Sequence, residues 1–165
     1  MSDSMYAPGA PGTTGNMSVN KLGAGYVRES GLASEAILSG RVVVGAAGGG
    51  LALPRSAGDV ANKLKGIALI PDDLFSSGAN PFASWQYNAT GVVSVLRSGA
   101  VWVFVESPVA EFGAVYVRFA VGPNGSNFGA IRGDSDGGTC AALPLKRAQF
   151  GYNGTSKALV RLALP

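Results

Sequence analysis

The chain has 165 residues, of which 47% are hydrophobic and 14% charged, and its formal net charge is +3. It contains no histidine, which excludes His-based catalytic triads and removes the most common general base and metal ligand of proteins. Its basic residues are scattered singly or in pairs, whereas direct nucleic-acid binding usually requires a basic stripe or cluster, so we expect no direct contact with nucleic acid.

The amino-terminal residues 1–20 are rich in Pro, Gly, Ser and Thr and show no hydrophobic periodicity. They lack the basic and apolar regions of a secretory signal, which predicts that the protein is made in the cytoplasm and stays soluble or assembles there. Alone, such a segment cannot bury enough apolar surface to offset the entropy lost on ordering. It is therefore either a frayed terminus or an arm that becomes ordered on a partner, anchored by Met5, Tyr6 and Met17.

From about residue 26 onward, apolar and polar residues alternate with a period of two, which predicts β-strands. The predicted strands are 36–44, 65–70, 92–97, 100–106, 115–121, 130–132, 141–150 and 157–164. The link Ser98-Gly99 predicts a hairpin between the third and fourth of these, because glycine supplies the positive φ of such a turn. Strand 115–121 should place Val117 on an apolar face and Arg118 on the other. Helix is predicted only at 57–65 and 71–75.

This pattern predicts an all-β fold with less than about 10–15% helix. The spacing of the strands and the Gly, Pro and Asn turns favours a β-sandwich or barrel, with the jelly roll as one member of that class. We divide the chain into a flexible amino-terminal arm and lead-in at 1–34 and a single β-sandwich domain at 35–165. The longest unbroken apolar stretch, 100–105, is far too short to span a membrane.

Residues 132–138 contain several short motifs, none of which forms a complete site. Ser135 follows Gly-Asp as in a hydrolase serine block, but no histidine is present to activate it. Asp134 and Asp136 have the spacing of half a calcium loop, yet the Glu that should follow is missing, so an ordinary Asp-Gly turn is the better interpretation. The tripeptide Arg132-Gly133-Asp134 matches an integrin ligand, which we attribute to chance in a chain made in the cytoplasm.

Other candidate residues have structural interpretations. Glycines 45–50 follow a predicted strand, but no Lys-Ser/Thr follows them, so a flexible loop is favoured over a phosphate site. Cys140 has no close cation to lower its pKa and is expected to be a small core residue. Phe82 and Trp85 differ, because they lie in the irregular stretch 76–88, and aromatic residues in long loops are frequent contact anchors.

Three blocks of the sequence carry a resemblance to a known family. They are Lys-Gly-Ile-Ala-Leu at 65–69, the segment 91–99, and the region from 129–132 through 141–144. In order and spacing they resemble the small structural cement (decoration) proteins of tailed-phage capsids, which are similar in length and rich in Gly, Ala and Val. The resemblance covers roughly residues 35–164.

The resemblance implies a β-sandwich, often jelly-roll-like, that lies on the outside of the phage head. There it would bridge neighbouring major capsid subunits and stabilise the head against the pressure of packaged DNA. It implies no catalytic residue, and we expect no metal and no cofactor. Low charge and high apolar content also predict self-association as a homodimer or homotrimer. The candidate capsid-binding residues are Met5, Tyr6, Met17, Lys21, Arg28, Phe82 and Trp85, with Lys21 and Arg28 pairing with capsid carboxylates.

Two other classes of function remain open at this point. A phage tail or baseplate β-module that binds a receptor or carbohydrate would also be all-β and free of histidine, but it would be expected to gather Trp or Tyr with carboxylates in one groove. A hydrolase that uses a pair of carboxylates would need two Asp or Glu side chains brought together. The ten acidic residues of this chain fall mostly in turns, so we expect no enzyme activity.

Overall fold

The structure is a computed structural model that describes residues 27–70, 85–151, 154–155 and 157–164. Its helical segments in these ranges are α1 (Ala57–Asn62) and a short 3-10 helix (Asp136–Gly138). The prediction of an all-β fold is confirmed. The strands, in chain order, are β1 (Val27–Leu32), β2 (Ile37–Leu38), β3 (Val42–Gly45), β4 (Leu51–Ala52), β5 (Leu64–Ala68), β6 (Gln86–Tyr87), β7 (Val92–Phe104), β8 (Tyr116–Arg118), β9 (Ile131–Arg132), β10 (Cys140–Ala142), β11 (Ala148–Phe150) and β12 (Lys157–Ala163).

These strands form one large antiparallel sheet and two small ones. The large sheet has the order β11-β12-β7-β5-β3-β4, and β1 pairs with β7 as its seventh strand. The second sheet has the order β10-β8-β9, and the third consists of β2 and β6. Val27 of β1 and Ala163 of β12 both lie opposite Ser98 of β7. Residues 95 and 96 of β7 pair with both β1 and β5, so these two strands flank the first half of β7, whereas β12 pairs with its second half.

The main hydrophobic core lies between the large sheet and the β10-β8-β9 sheet. It contains Val101 and Val103 of β7, Val117 of β8 and Ile131 of β9, all with no exposed surface. Burying each such side chain contributes roughly 1.5–3 kcal/mol, so this cluster holds the two sheets together. Two sheets packed through apolar inner faces form the predicted β-sandwich. The jelly-roll topology stays a prediction.

A second cluster lies on the opposite face of the first half of β7. Val93 and Val95 pack there with Ile37 of β2 and Tyr87 of β6. The hydroxyl of Tyr87 donates a hydrogen bond of 2.6 Å to the carbonyl oxygen of Leu69, which satisfies the polar end of this buried ring. The small β2–β6 sheet is thereby attached to the large sheet.

The predicted hairpin at Ser98-Gly99 is wrong, because both of its strands belong to the continuous strand β7. Gly99 has a φ of 130° and lies inside the strand. Leu96 and Val101 both face the main core, although strict alternation would place them on opposite faces. The alternation therefore shifts near Gly99, as it does at a bulge. The strand continues through the bulge because each half of β7 has its own partners, β1 and β5 before the bulge and β12 after it.

The predicted strand 36–44 is divided into two. Gly40, with a φ of 80°, ends β2 and allows the chain to turn into β3, and the two strands belong to different sheets. The predicted segment 141–150 likewise gives β10 and β11 on either side of a turn that follows Pro144, again in different sheets. The interruption expected at Pro144 is thus observed as a change of sheet.

Strand β1 lies within residues 1–34, which the sequence assigned to the arm and lead-in, and its pairing makes residues 27–32 part of the large sheet. The division between arm and sandwich domain otherwise stays a prediction.

The predicted helix 57–65 is confirmed in shorter form as α1, and the hydroxyl of Ser56 caps it by accepting a hydrogen bond from the Asp59 amide. The predicted helical turn 71–75 lies outside the described residues. Within the described ranges, no helix has the length and hydrophobicity needed to cross a membrane.

Gly66 allows β5 to approach β7 closely. It lies at a bulge, where the register passes from Val43 opposite Gly66 to Val44 opposite Leu64. Its φ is 148°, and a Cβ atom added to it would overlap the carbonyl oxygen of Leu96 and lie 2.9 Å from the carbonyl carbon. Because this carbonyl belongs to the backbone of the central strand, it has little freedom to move away.

We predict that Gly66→Ala destabilises the protein strongly, because the new Cβ overlaps with the backbone of β7 in a conformation that L residues rarely adopt. The free energy of unfolding, measured by chemical denaturation, should fall by more than about 3 kcal/mol. Gly49→Ala is the matched control, since Gly49 has a φ of 85° and no atom within 4 Å of an added Cβ; it should cost about 1 kcal/mol. Equal losses in both variants would show that contact with β7 is not the cause.

Candidate functional site

A buried cluster of charged side chains lies beside the β10-β8-β9 sheet, and we call it the Arg118 cluster. Arg118 of β8 has no exposed side-chain surface. Its Nε donates to Glu106 Oε2 at 2.7 Å, and its Nη2 donates to Asp136 Oδ2 at 2.6 Å. Its Nη1 donates to Thr139 Oγ1 at 3.1 Å and to the carbonyl oxygen of Ala120 at 3.2 Å. Every nitrogen of the guanidinium therefore has an oxygen partner, as a buried charge requires.

Arg132 of β9 extends this cluster. Its Nη1 lies 3.5 Å from Glu106 Oε2, and its Nη2 lies 3.7 Å from Asp136 Oδ1. Nη2 also donates to Asp134 Oδ1 at 3.0 Å. Asn124 Nδ2 completes the surroundings of Asp136 by donating to Oδ1 at 2.6 Å. The cluster thus joins separate loops of the chain around two arginines.

The charges of the cluster stabilise each other. Burial opposes the charged form of Arg118, but hydrogen bonds to Asp136 and Glu106 outweigh burial and raise the pKa of Arg118. The hydrogen bond from Arg118, together with that from Asn124, lowers the pKa of Asp136 to about 2. At neutral pH the carboxylate is therefore ionised and engaged by arginine.

The charged residues of the short motifs at 132–138 form ion pairs and hydrogen bonds within this cluster. Arg132 and Asp134 bind each other, so the integrin-like tripeptide is held in an internal ion pair. Asp136 is occupied by Arg118 and Asn124, which agrees with the interpretation of an ordinary turn over a calcium loop. Cys140 is buried, and burial raises the pKa of its thiol, which keeps it protonated. Across the ranges that the structure describes, no group of three or more Cys, Asp or Glu side chains is placed to hold a metal ion.

Sequence reasoning did not identify the Arg118 cluster. The signal that was present is the alternation in 115–121, which placed Arg118 on the face away from the apolar side chains. That face is buried here, because the loops carrying Glu106 and Asp136 cover it. Glu106 lies just after the end of β7, and Asp136 lies in the loop before β10. Nothing local in the sequence indicates that these two loops meet over β8.

The candidate capsid-binding residues are described in part. Arg28 is an exposed residue of β1, opposite Leu96 of β7. Trp85 precedes β6 and is 40% exposed. Its backbone is held in place because its N–H donates to Ser39 Oγ at 3.0 Å and its carbonyl oxygen accepts from the Ser39 amide at 2.7 Å. The residues that lie outside the described ranges are Met5, Tyr6, Met17, Lys21 and Phe82.

Exposed apolar side chains concentrate at strand β1. Leu32 is 58% exposed, and its register partner on β7, Val92, is 64% exposed. Val27, at the other end of β1, is 51% exposed. We call β1 together with Val92 the β1 edge. Large exposed apolar side chains on a paired, rigid strand are typical of a surface that a partner covers.

A basic cleft lies at the end of β12, beside Ser98 of β7. It is lined by Ser98, Lys146, Arg147, Ala163 and Leu164. Among the described residues, no carboxylate forms an ion pair with Lys146 or Arg147. The cleft therefore presents two cations that are not neutralised within the described part of the chain.

We predict that Arg118→Met destabilises the protein, because it removes the guanidinium that donates hydrogen bonds to both Glu106 and Asp136 and leaves these carboxylates only the more distant Arg132, at 3.5 and 3.7 Å. Removing one partner of a buried ion pair costs about 3–5 kcal/mol in free energy of unfolding, which chemical denaturation measures. Arg55→Met is the control: Arg55 pairs with Glu35, but its side chain is 51% exposed, and the loss should stay below about 1 kcal/mol. If both variants lose the same amount, the buried cluster has no special role in stability.

We also predict that the contribution of Asp136 to stability disappears in acid. A carboxyl group with a depressed pKa stabilises the folded state in full above its unfolded pKa and loses that contribution as the pH falls through its folded pKa. The difference in melting temperature between the wild type and Asp136→Asn should therefore be constant above about pH 5 and should shrink from about pH 4 to pH 2. A difference that stays constant down to pH 2 would contradict this assignment.

Comparison with known protein families gives a match over nearly the whole chain. Residues 2–164 match the family described as Structural cement protein (E217 gp24/Pam3 gp6). No curated protein sequence matches the chain significantly. The family match spans nearly the whole chain, including the segments outside the described ranges, and it confirms the resemblance seen in the sequence. The chain therefore belongs to the structural cement protein family of phage capsids.

Proposed function

We propose that this protein binds the outside of a phage capsid and bridges neighbouring major capsid subunits, so that the head withstands the outward pressure of packaged DNA. Membership of the structural cement family supports a structural role in the capsid. A protein that spans the joint between two subunits adds buried area to that joint, and separating the subunits then requires breaking those contacts too. A protein that binds only the mature lattice stabilises that lattice by mass action.

The observation that carries this proposal is Trp85. Its side chain is exposed although its backbone is fixed by two hydrogen bonds to Ser39. A large aromatic side chain held rigidly at the surface loses little entropy on binding and is a typical interface anchor. We place Phe82, which is close in the sequence, in the same contact.

Basic residues supply the polar part of the proposed contact. Arg28 is exposed on β1 and would pair with capsid carboxylates, together with Lys21. Lys146 and Arg147 in the basic cleft would do the same. A net charge of +3 favours an acidic partner surface and faster association with it.

The amino-terminal residues are the proposed arm of this contact. An extended chain spans roughly 3.3 Å per residue, so residues 1–20 would reach about 65 Å, which is further than the width of a small domain. Met5, Tyr6 and Met17 would fill shallow pockets on a neighbouring capsid subunit. Ordering such a segment costs about 1–2 kcal/mol per residue, so only a lattice that offers many contacts would hold it.

The remaining parts of the proposal concern partners and location. The protein would act as a homodimer or homotrimer on the capsid exterior after synthesis in the host cytoplasm, without catalysis, cofactor, nucleic acid or membrane. The exposed apolar side chains of the β1 edge support self-association. We favour this role over a tail or baseplate module, because the family is one of capsid cement proteins.

We predict that deleting residues 2–20 weakens capsid binding at least tenfold and leaves the melting temperature nearly unchanged, because in the proposed role the arm would contribute contacts to the lattice rather than to the core. Purified protein would be mixed with capsids assembled without it, and binding would be measured by co-sedimentation in a density gradient. Val121→Ser is the control: Val121 is 66% exposed and lies outside the proposed contacts, so this variant should bind like the wild type.

The outcomes of this experiment separate the two claims. A wild-type protein that does not bind capsids would contradict the proposed function. A truncated protein that binds with undiminished affinity would contradict the role of the arm alone and leave the function in place.

A further inference from the structure

The loop between β7 and β8 carries an aromatic residue in an unfavourable backbone conformation. Residues 110–113 form a β-turn closed by a hydrogen bond of 3.0 Å from the Gly113 amide to the carbonyl oxygen of Ala110. Phe112, the third residue of this turn, has a φ of 61°. A positive φ at this position is normally adopted by Gly or Asn, because a bulky side chain is strained there. The conformation of Phe112 therefore disfavours the folded state.

The strained conformation persists because the backbone around the turn is held on both sides. The N–H of Phe112 donates to the carbonyl oxygen of Phe150 at 2.8 Å, and the N–H of Phe150 donates to the carbonyl oxygen of Gly113 at 3.3 Å. Before the turn, Val109 and Gly154 exchange two hydrogen bonds of 2.8 and 3.1 Å. The loop thus lies alongside β11 in a fixed position, and Phe112 is presented rigidly.

Packing inside the protein does not offset the strain. Phe112 is 61% exposed, so its ring gains only a fraction of the free energy that full burial provides. Strained residues that the surrounding structure holds in place occur preferentially at sites that bind a ligand or partner. Aromatic side chains are also frequent anchors of protein interfaces. Burial against a partner would supply the stabilisation that the ring lacks in the isolated chain.

A second turn with the same hydrogen bond provides a comparison. Residues 88–91 are closed by the Gly91 amide, which donates to the carbonyl oxygen of Asn88 at 2.9 Å, and Thr90 at the third position has a φ of 68°. Thr90 is also exposed, but its side chain carries no ring. The two turns therefore share a backbone strain and differ in the side chain that they present.

The charges near β11 indicate the chemistry of the partner. Lys146 and Arg147 immediately precede β11, and no ion pair in the described part of the chain involves them. Along the strand, Arg147 and Phe150 are separated by roughly 10 Å, at about 3.3 Å per residue. An interface of about 800 Å² on each partner is roughly 30 Å across, so a contact centred on Phe112 is wide enough to include both cations. Glu111, the acidic residue of the turn, makes an interaction of its own.

We propose that Phe112 is a capsid anchor, whose ring enters an apolar pocket on a major capsid subunit with carboxylates near it for Lys146 and Arg147. A second copy of this chain is the less favourable occupant, because the same contact between two copies would bring like cations together without carboxylates to neutralise them. This inference rests on the proposed function and deepens it by assigning a contact outside the amino-terminal arm and Trp85.

The variant Phe112→Gly tests this anchor, because glycine adopts a positive φ without strain and removes the ring. Binding to capsids assembled without the protein, measured by co-sedimentation, should weaken at least tenfold. The melting temperature should not fall, since relief of the strain offsets the lost packing and the greater freedom of the unfolded chain. Phe112→Tyr retains the ring and should bind like the wild type.

Thr90→Gly is the matched control. It relieves the same strain in a turn without a ring, so it should also keep its melting temperature and should bind capsids like the wild type. If Phe112→Gly lowers the melting temperature by more than about 4 °C, the ring serves packing within the chain and the inference is overturned.

The remaining outcomes separate this inference from the proposed function. If the wild type binds capsids and Phe112→Gly binds equally well, only the role of Phe112 is wrong. If Phe112→Gly keeps capsid binding but weakens self-association in analytical ultracentrifugation, the ring contacts a second copy and the capsid partner assigned to it is wrong. A wild type that binds no capsids contradicts the proposed function itself and, with it, the capsid partner of Phe112.

Discussion

A guanidinium with no exposed surface constrains one whole end of the molecule. Arg118 lies on the central strand of the β10-β8-β9 sheet, where its side chain cannot reach water. Its charge must therefore be satisfied by the protein, and Glu106, Asp136 and Thr139 do this from loops that are distant in sequence. The ends of β7, β9 and β10 are brought together around it. The loops at this end of the sandwich are thus defined by ion pairing, whereas the interior of the sandwich is held by apolar packing.

Strand β7 has the corresponding role in the large sheet. It pairs with β1 and β5 along its first half and with β12 along its second half, and Gly66 allows β5 to come close. The shift of alternation near Gly99 lets one strand serve two cores, with Val95 facing one and Val103 the other. Strand β1 is thereby joined to the large sheet through β7.

The candidate contact residues were partly recognisable in the sequence. Trp85 was identified because an aromatic residue in an irregular stretch has no strand to pack into, and the structure places it at the surface. Arg28 was identified as a candidate contact within the arm and lead-in at 1–34, and it lies on a strand of the large sheet. The exposed pair of Leu32 and Val92 was not recognised, because alternation indicates which residues share a face and says nothing about whether another layer covers that face.

The fold class and the family could be predicted from the sequence, because both depend on local properties. Period-two alternation, glycine-containing turns between strands and the absence of histidine can all be read directly along the chain. The pairing of strands, in contrast, depends on contacts between distant segments. Ser98-Gly99 has the composition of a hairpin turn, yet β7 continues through it, since strands remote in sequence offer each half better partners. The burial of Arg118 has the same origin, because the cost of burying a charge is offset only by carboxylates that folding brings from elsewhere.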